Sequence, residues 1–132
     1  SLYTTAWERL ADMNEMAIRY LMTAFSIQAT VVKSSELGVA GQGGELLMNI
    51  CRQMQAEVYL SGISGKDYLD QRIFSDAGIA VRFQEFHHPI YQQCYAPFLP
   101  CLSAVDLLFN YGPASAEIIQ GTGVVTMGQV FE

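Results

Sequence analysis

The sequence predicts an α/β domain of three layers, with a small, mainly parallel sheet of about three strands flanked by helices. Three observations lead there. Helical and extended patterns alternate, so successive strands are joined by helical crossovers, the connection that makes parallel neighbours. The three extended segments end in polar clusters: Lys33-Ser34-Ser35, then Ser61 to Lys66, then His87-His88-Pro89. The 132 residues are 51% hydrophobic and 15% charged, which suits one compact domain spanning the chain and leaves apolar surplus for a surface that meets another domain or subunit.

Trp7, Leu10, Ala17, Ile18, Leu21 and Phe25 recur at helical spacing and predict a helix from about Thr5 to Phe25. Asn14 lies on the same stripe, where its amide either bonds nearby backbone or reaches into a pocket. The β-branched run Ile27 to Val32 predicts a buried strand. Gly41-Gln42-Gly43-Gly44 interrupts the chain before a helix over Gly44 to Gln55, whose stripe is Leu46, Leu47, Ile50, Cys51 and Met54. Val58-Tyr59-Leu60 is the second strand, also expected to be buried, and a helix over Lys66 to Ala77 follows, stopped by Gly78. Ile79 to Phe86 alternates as a third strand, with Ile79, Val81 and Phe83 on one face and Arg82 and Gln84 on the other. Beyond a loop with Pro97 and Pro100, Ser103 caps a helix from Ala104 to Phe109, with Asp106 in the capping-box place. Asn110-Tyr111-Gly112-Pro113 ends that helix and starts another, which runs to near Gly121. The tail, Thr122 to Glu132 with Val124-Val125 and Gly128, reads either as a short strand or as frayed chain.

Net charge is −6 and the seven basic residues are scattered, so no basic stripe exists for nucleic acid. No stretch is long and apolar enough to span a membrane, and no signal-peptide pattern opens the chain, which points to the cytoplasm. The helical pattern begins almost at residue 1, as in a truncated protein. Cys51 falls on an apolar helix face as core filling, while Cys94 and Cys101 are either free thiols or a disulfide across the Pro loop. His87 and His88 are adjacent and point to opposite faces of an extended chain, so no metal site is expected. No cofactor follows from the residues.

In an open parallel sheet, ligands bind beyond the carboxyl ends of the strands, where the three polar clusters would share one edge. Ser61-Gly62-Ile63-Ser64-Gly65-Lys66 offers N–H donors, hydroxyls and an ammonium to a phosphate or carboxylate, though without nucleotide P-loop spacing. Its plainer reading is a strand-to-helix turn capped by Ser64. His88, its backbone restricted by Pro89, is the candidate general base, against the alternative of a hydrogen-bonded loop histidine. Ser34, Ser35 and Asn14 are candidates to orient a substrate, and Tyr68 and Tyr91 to stack on one. The expected partner is a nucleotide sugar or other anionic small molecule, with a homo-oligomer among the states the apolar surplus allows.

Several of these residues also fall in motifs in register: Ser34-Ser35-Glu36-Leu37, Tyr59-Leu60-Ser61-Gly62-x-Ser64-Gly65-Lys66-Asp67-Tyr68-Leu69-Asp70, and Gly78-Ile79. They continue as Phe83-Gln84-x-Phe86-x-His88-Pro89-x-Tyr91-x-Gln93 and Leu102-Ser103-x-x-Asp106-Leu107-Leu108-Phe109-Asn110-x-Gly112. Together they resemble the WbqC-like proteins of bacteria, and this chain resembles their carboxyl-terminal half. The resemblance implies a role in making surface polysaccharide such as O-antigen. It also implies transfer of a small aminoacyl or acyl group to an amino sugar or nucleotide sugar, since some members are described as aminoacyl-type transferases. A non-catalytic binding or assembly module is the alternative.

Overall fold

The computed structural model describes residues 2, 4–120 and 123–127, the last group by backbone alone. The chain divides into two compact units, each made of two stretches: Ser1–Thr30 with His88–Thr122, and Val31–His87 with Gly123–Glu132. The class is α/β, with a parallel strand pair at the heart of the second unit.

The sheet unit opens with a 3₁₀ turn, Ser34–Glu36. Helix α1 (Gly43–Gln53) follows, then strand β1 (Val58–Gly62) and strand β2 (Ala80–Phe86). β1 and β2 pair in parallel, from Val58 against Ala80 to Gly62 against Gln84. The helix expected over Lys66 to Ala77 is split into a 3₁₀ turn, Ile63–Asp67, and a short helix α2 (Arg72–Ser75). Asp70 interrupts it: its carboxylate accepts the Arg72 N–H at 3.0 Å, a local bond that competes with helix continuation. Strand β3 (Gly123–Met127) resolves the tail in favour of a strand and pairs antiparallel with the other edge of β2, Phe86 opposite Gly123. The tail from Gly128 onward lies outside the described residues.

The alternation read in β2 holds. Ile79, Val81 and Phe83 are buried with Cys51, Leu69 and Phe74 in one apolar core, and Arg82 and Gln84 are exposed. β1 differs from its buried reading. Val58 and Leu60 face outward, and the inward residues are Tyr59, stacked on Phe74 at 5.1 Å, and the buried Ser61.

In the helical unit, α3 (Leu10–Ala24) begins five residues later than expected, because Arg9 is still extended; just before it, the Trp7 indole N–H donates to the Leu2 carbonyl at 2.9 Å. Helix α4 (Ala104–Tyr111) and helix α5 (Ser115–Gln120) complete it; Gly121, the expected end of α5, lies outside the described residues. Ser103 caps α4 as read, accepting the Val105 N–H at 3.3 Å. Phe25, Tyr91 and Leu107 are buried together, with Leu21, Phe98 and Ile118 packed around them.

Residues 27–32 form no strand. Ile27 is 52% exposed and Val32 43%, so the β-branched run lacks the half-buried pleated surface that makes its propensity count. The helix before it ends in a Schellman motif. Ile27 N–H reaches back to Met22 O at 2.8 Å and Ser26 N–H to Thr23 O at 3.1 Å, with Ser26 at φ +56°.

Candidate functional site

In the sheet unit, β1 delivers Ser61 to the inner face, where its hydroxyl donates to the Gly62 carbonyl at 3.1 Å. Gly65 packs directly over it. A Cβ at position 65 would collide with Ser61 Oγ and stand 3.2 Å from the Phe83 ring, so the close approach demands glycine. One residue on, Lys66 Nζ lies 2.8 Å from Glu85 Oε1 and 5.6 Å above the centre of the Phe83 ring. The hydrogen bond from Lys66, and then its charge, hold the Glu85 carboxyl below the usual range. An anion at this loop therefore competes with a carboxylate already in place. Gly62, Ser64 and Tyr68 are exposed on the same loop, as are Ser34 and Ser35 on their own turn.

In the helical unit, the His-Pro segment meets helix α4. His88 Nδ1 lies 2.9 Å from the Pro89 carbonyl, which can only accept; the neutral ring thus carries its proton on Nδ1 and its lone pair on Nε2. Two mutually packed rings lie beside it, Tyr91 at 6.2 Å and Phe98 at 6.1 Å. The Tyr91 hydroxyl donates to Asp106 at 2.8 Å, and the same carboxylate oxygen accepts Gln93 Nε2 at 3.1 Å. Burial, and then the bond to Asp106, push the Tyr91 phenol up from its ordinary range. Gln93 also closes the Pro loop, donating to Leu99 O at 3.0 Å and accepting from Leu99 N at 2.9 Å.

Asp106 thus spends its carboxylate on Tyr91 and Gln93 and not on the helix N-terminus, which corrects its capping reading. A carboxylate three residues after a Ser cap is ambiguous in sequence, since it can turn back to the backbone or outward to a partner. Asn110, read in the sequence only as part of the stop after α4, has a side-chain role as well. It donates to the Asp106 carbonyl at 2.8 Å and accepts the Cys94 thiol at 3.4 Å. The His88-Pro89-x-Tyr91-x-Gln93 and Ser103-x-x-Asp106 motifs were the available signal: Tyr91 and Gln93 of the first bond Asp106 of the second. Asn14 is exposed on α3, and Cys94 and Cys101 are free and exposed.

Beside this network lies a cleft of about 340 Å³, lined by Gln92, Gln93, Cys94, Asn110 and Tyr111. Its lining has hydrogen-bonding groups but no formal charge. Among the described residues, no helix is long and apolar enough to cross a membrane.

Residues 1–118 match the model of the WbqC-like protein family. The uncharacterized protein Rv1507c of Mycobacterium tuberculosis (strain ATCC 25618 / H37Rv) is 29% identical over 112 residues, covering 84% of this chain and 48% of its own length. The chain spans about half the length of the curated relative it matches. No solved structure matches it.

Proposed function

The chain belongs to the WbqC-like protein family, and from that premise we propose that it acts in making bacterial surface polysaccharide, transferring a small acyl or aminoacyl group to an amino sugar or nucleotide sugar. The observation that carries the reading is His88, an imidazole whose Nδ1–H is held on the Pro89 carbonyl beside the paired rings of Tyr91 and Phe98. Nε2 takes the proton as the sugar nitrogen bonds the carbonyl carbon of an activated ester or thioester. The bond to the donor's leaving atom breaks, and the proton passes to that leaving group. In the sheet unit, taken by itself, the Ser61–Lys66 loop, with Gly62, Ser64 and Gly65, suits an anionic ligand, Lys66 exchanging Glu85 for it, and Ser34, Ser35 and Tyr68 are exposed on that unit. In the helical unit Asn14 is exposed to meet a substrate, and the buried Tyr91, its hydroxyl on Asp106, supports His88 from the core and does not stack on the substrate. The protein works in the cytoplasm, where exposed thiols such as Cys94 and Cys101 persist.

Transfer of labelled acyl groups from thioester donors to a uridine-diphosphate amino sugar tests this, with nucleotide-sugar binding followed by calorimetry. His88→Gln should keep binding and lower the transfer rate by about 10²-fold or more. Equal rates would remove His88 as the base, and absent binding by the unmodified chain would remove the transferase reading.

A non-catalytic assembly module is the second reading. It is favoured by Ile90, Tyr95 and Phe109, which stand 85%, 87% and 85% exposed in the helical unit. Light scattering showing a concentration-dependent oligomer, with no small-molecule binding, would support it.

A further inference from the structure

We propose that the cleft formed by Gln92, Gln93, Cys94, Asn110 and Tyr111 is the seat of an uncharged, hydroxyl-rich ring of monosaccharide size. The inference rests on the sugar-transfer reading and says where the sugar goes. At about 340 Å³ the cleft is at the small end of ligand pockets.

Its hydrogen-bonding capacity decides the class of ligand. Gln93 has both amide hydrogens committed, to Leu99 O and Asp106, and one lone pair of its oxygen to Leu99 N, which leaves one acceptor position. It builds the wall and offers a ligand no donor. Tyr111 Oη accepts the Gln92 N–H at 3.0 Å, which leaves its own proton to donate. Asn110 uses one amide hydrogen on the Asp106 carbonyl and one lone pair on the Cys94 thiol, which leaves one donor and one acceptor. The exposed Gln92 amide adds both kinds. Both donors and acceptors therefore line the cleft, matching hydroxyl groups, each of which donates and accepts. A phosphate or carboxylate carries a formal negative charge, and no cation lines the cleft to offset its desolvation.

The wall is rigid where it needs to be. Asn110 is tied at both ends of its amide, so its remaining donor and acceptor are preorganised. The cleft is also joined to His88 through one ring: Tyr91 meets Tyr111 edge-on at 6.0 Å and His88 at 6.2 Å.

Two free thiols supply the test. Cys94 lines the cleft, whereas Cys101 is exposed outside it and serves as the internal control. Iodoacetamide labelling of the full chain is followed at each cysteine by mass spectrometry, with N-acetylglucosamine, glucose or sodium phosphate present. A neutral sugar should slow labelling of Cys94 saturably, about fivefold at four times its half-maximal concentration, and leave Cys101 unchanged. Gln92→Ala should weaken this protection, and phosphate should give none. Unprotected Cys94 at neutral-sugar concentrations up to about 0.1 M, well above a millimolar Kd, would overturn the proposal. Equal protection by phosphate would overturn it too. Protection of Cys94 without His88-dependent transfer would keep the cleft and remove the transferase reading. His88-dependent transfer with Cys94 unprotected would do the reverse.

Discussion

In the sheet unit the large buried side chains are Phe74 and Phe83, carbon packed on carbon; in the helical unit the buried ring of Tyr91 ends in a hydroxyl that must find Asp106. The first kind of core loses stability in proportion to the volume removed and tolerates repacking. The second depends on partners being present together, because an orphaned buried hydroxyl keeps its desolvation cost without its bond. The helical unit also holds its chain turns by side chains, Gln93 closing onto Leu99 and Asn110 onto Asp106. The difference teaches where chemistry can be hosted: a wall of fixed amides and hydroxyls can read a ligand, and a wall of phenyl rings cannot.

The largest expected effect is Phe83→Ala. The side chain is 1% exposed at the centre of the sheet unit's core, and its loss should cost about 3–5 kcal/mol in denaturant unfolding. A loss below about 1 kcal/mol would mean that the apolar core does not carry the sheet unit. Next comes Asp106→Ala, which should cost about 1–3 kcal/mol by stranding the Tyr91 hydroxyl. Adding Tyr91→Phe should restore part of that loss, and strictly additive losses would break the contrast between the two cores. The Tyr91 phenol should also titrate lower in Asp106→Asn, since one cause of its upward displacement is the Asp106 carboxylate.

The smallest effect on stability belongs to the exposed Lys66–Glu85 pair. Glu85 is held below its ordinary range, so its contribution is present above the unfolded-state pKa and disappears as pH falls through the lowered folded value. Lys66→Gln should return the Glu85 carboxyl to its ordinary range in a carbon-13 NMR titration and leave the melting midpoint almost unchanged. An unmoved Glu85 titration would dissolve the pair.

Strand β2 and helix α1 were legible because their apolar periods are long and their inner residues regular. The carboxyl ends of α1 and α3 were placed within two residues, yet only a glycine announces the left-handed turn that makes such an end. Gly78, at φ +73°, closes α2 with Ile79 N–H on Phe74 O. The same motif ends α1 at Gln55 and α3 at Ser26, with φ +54° and +56°, and neither residue type announces a left-handed turn. The strand expected over 27–32 failed for a related reason, since β-branching records what a residue suits and not whether a neighbouring strand is there to receive it. For the candidate site, the Ser61–Lys66 turn and the Pro89-restricted His88 were visible. The commitment of Lys66 to Glu85, and of Asp106 to Tyr91 and Gln93, was not, because each joins residues 13 to 19 positions apart through side chains alone.

Strand β3 has a consequence for how the chain is assembled. It enters the sheet from beyond the helical segment His88–Thr122, so the two units alternate along the backbone and each is made of two separated pieces. No single proteolytic nick releases either unit whole. On the ribosome, β2 waits with one flank unpaired until that helical segment has been synthesised, and β3, emerging after it, is the strand that covers it.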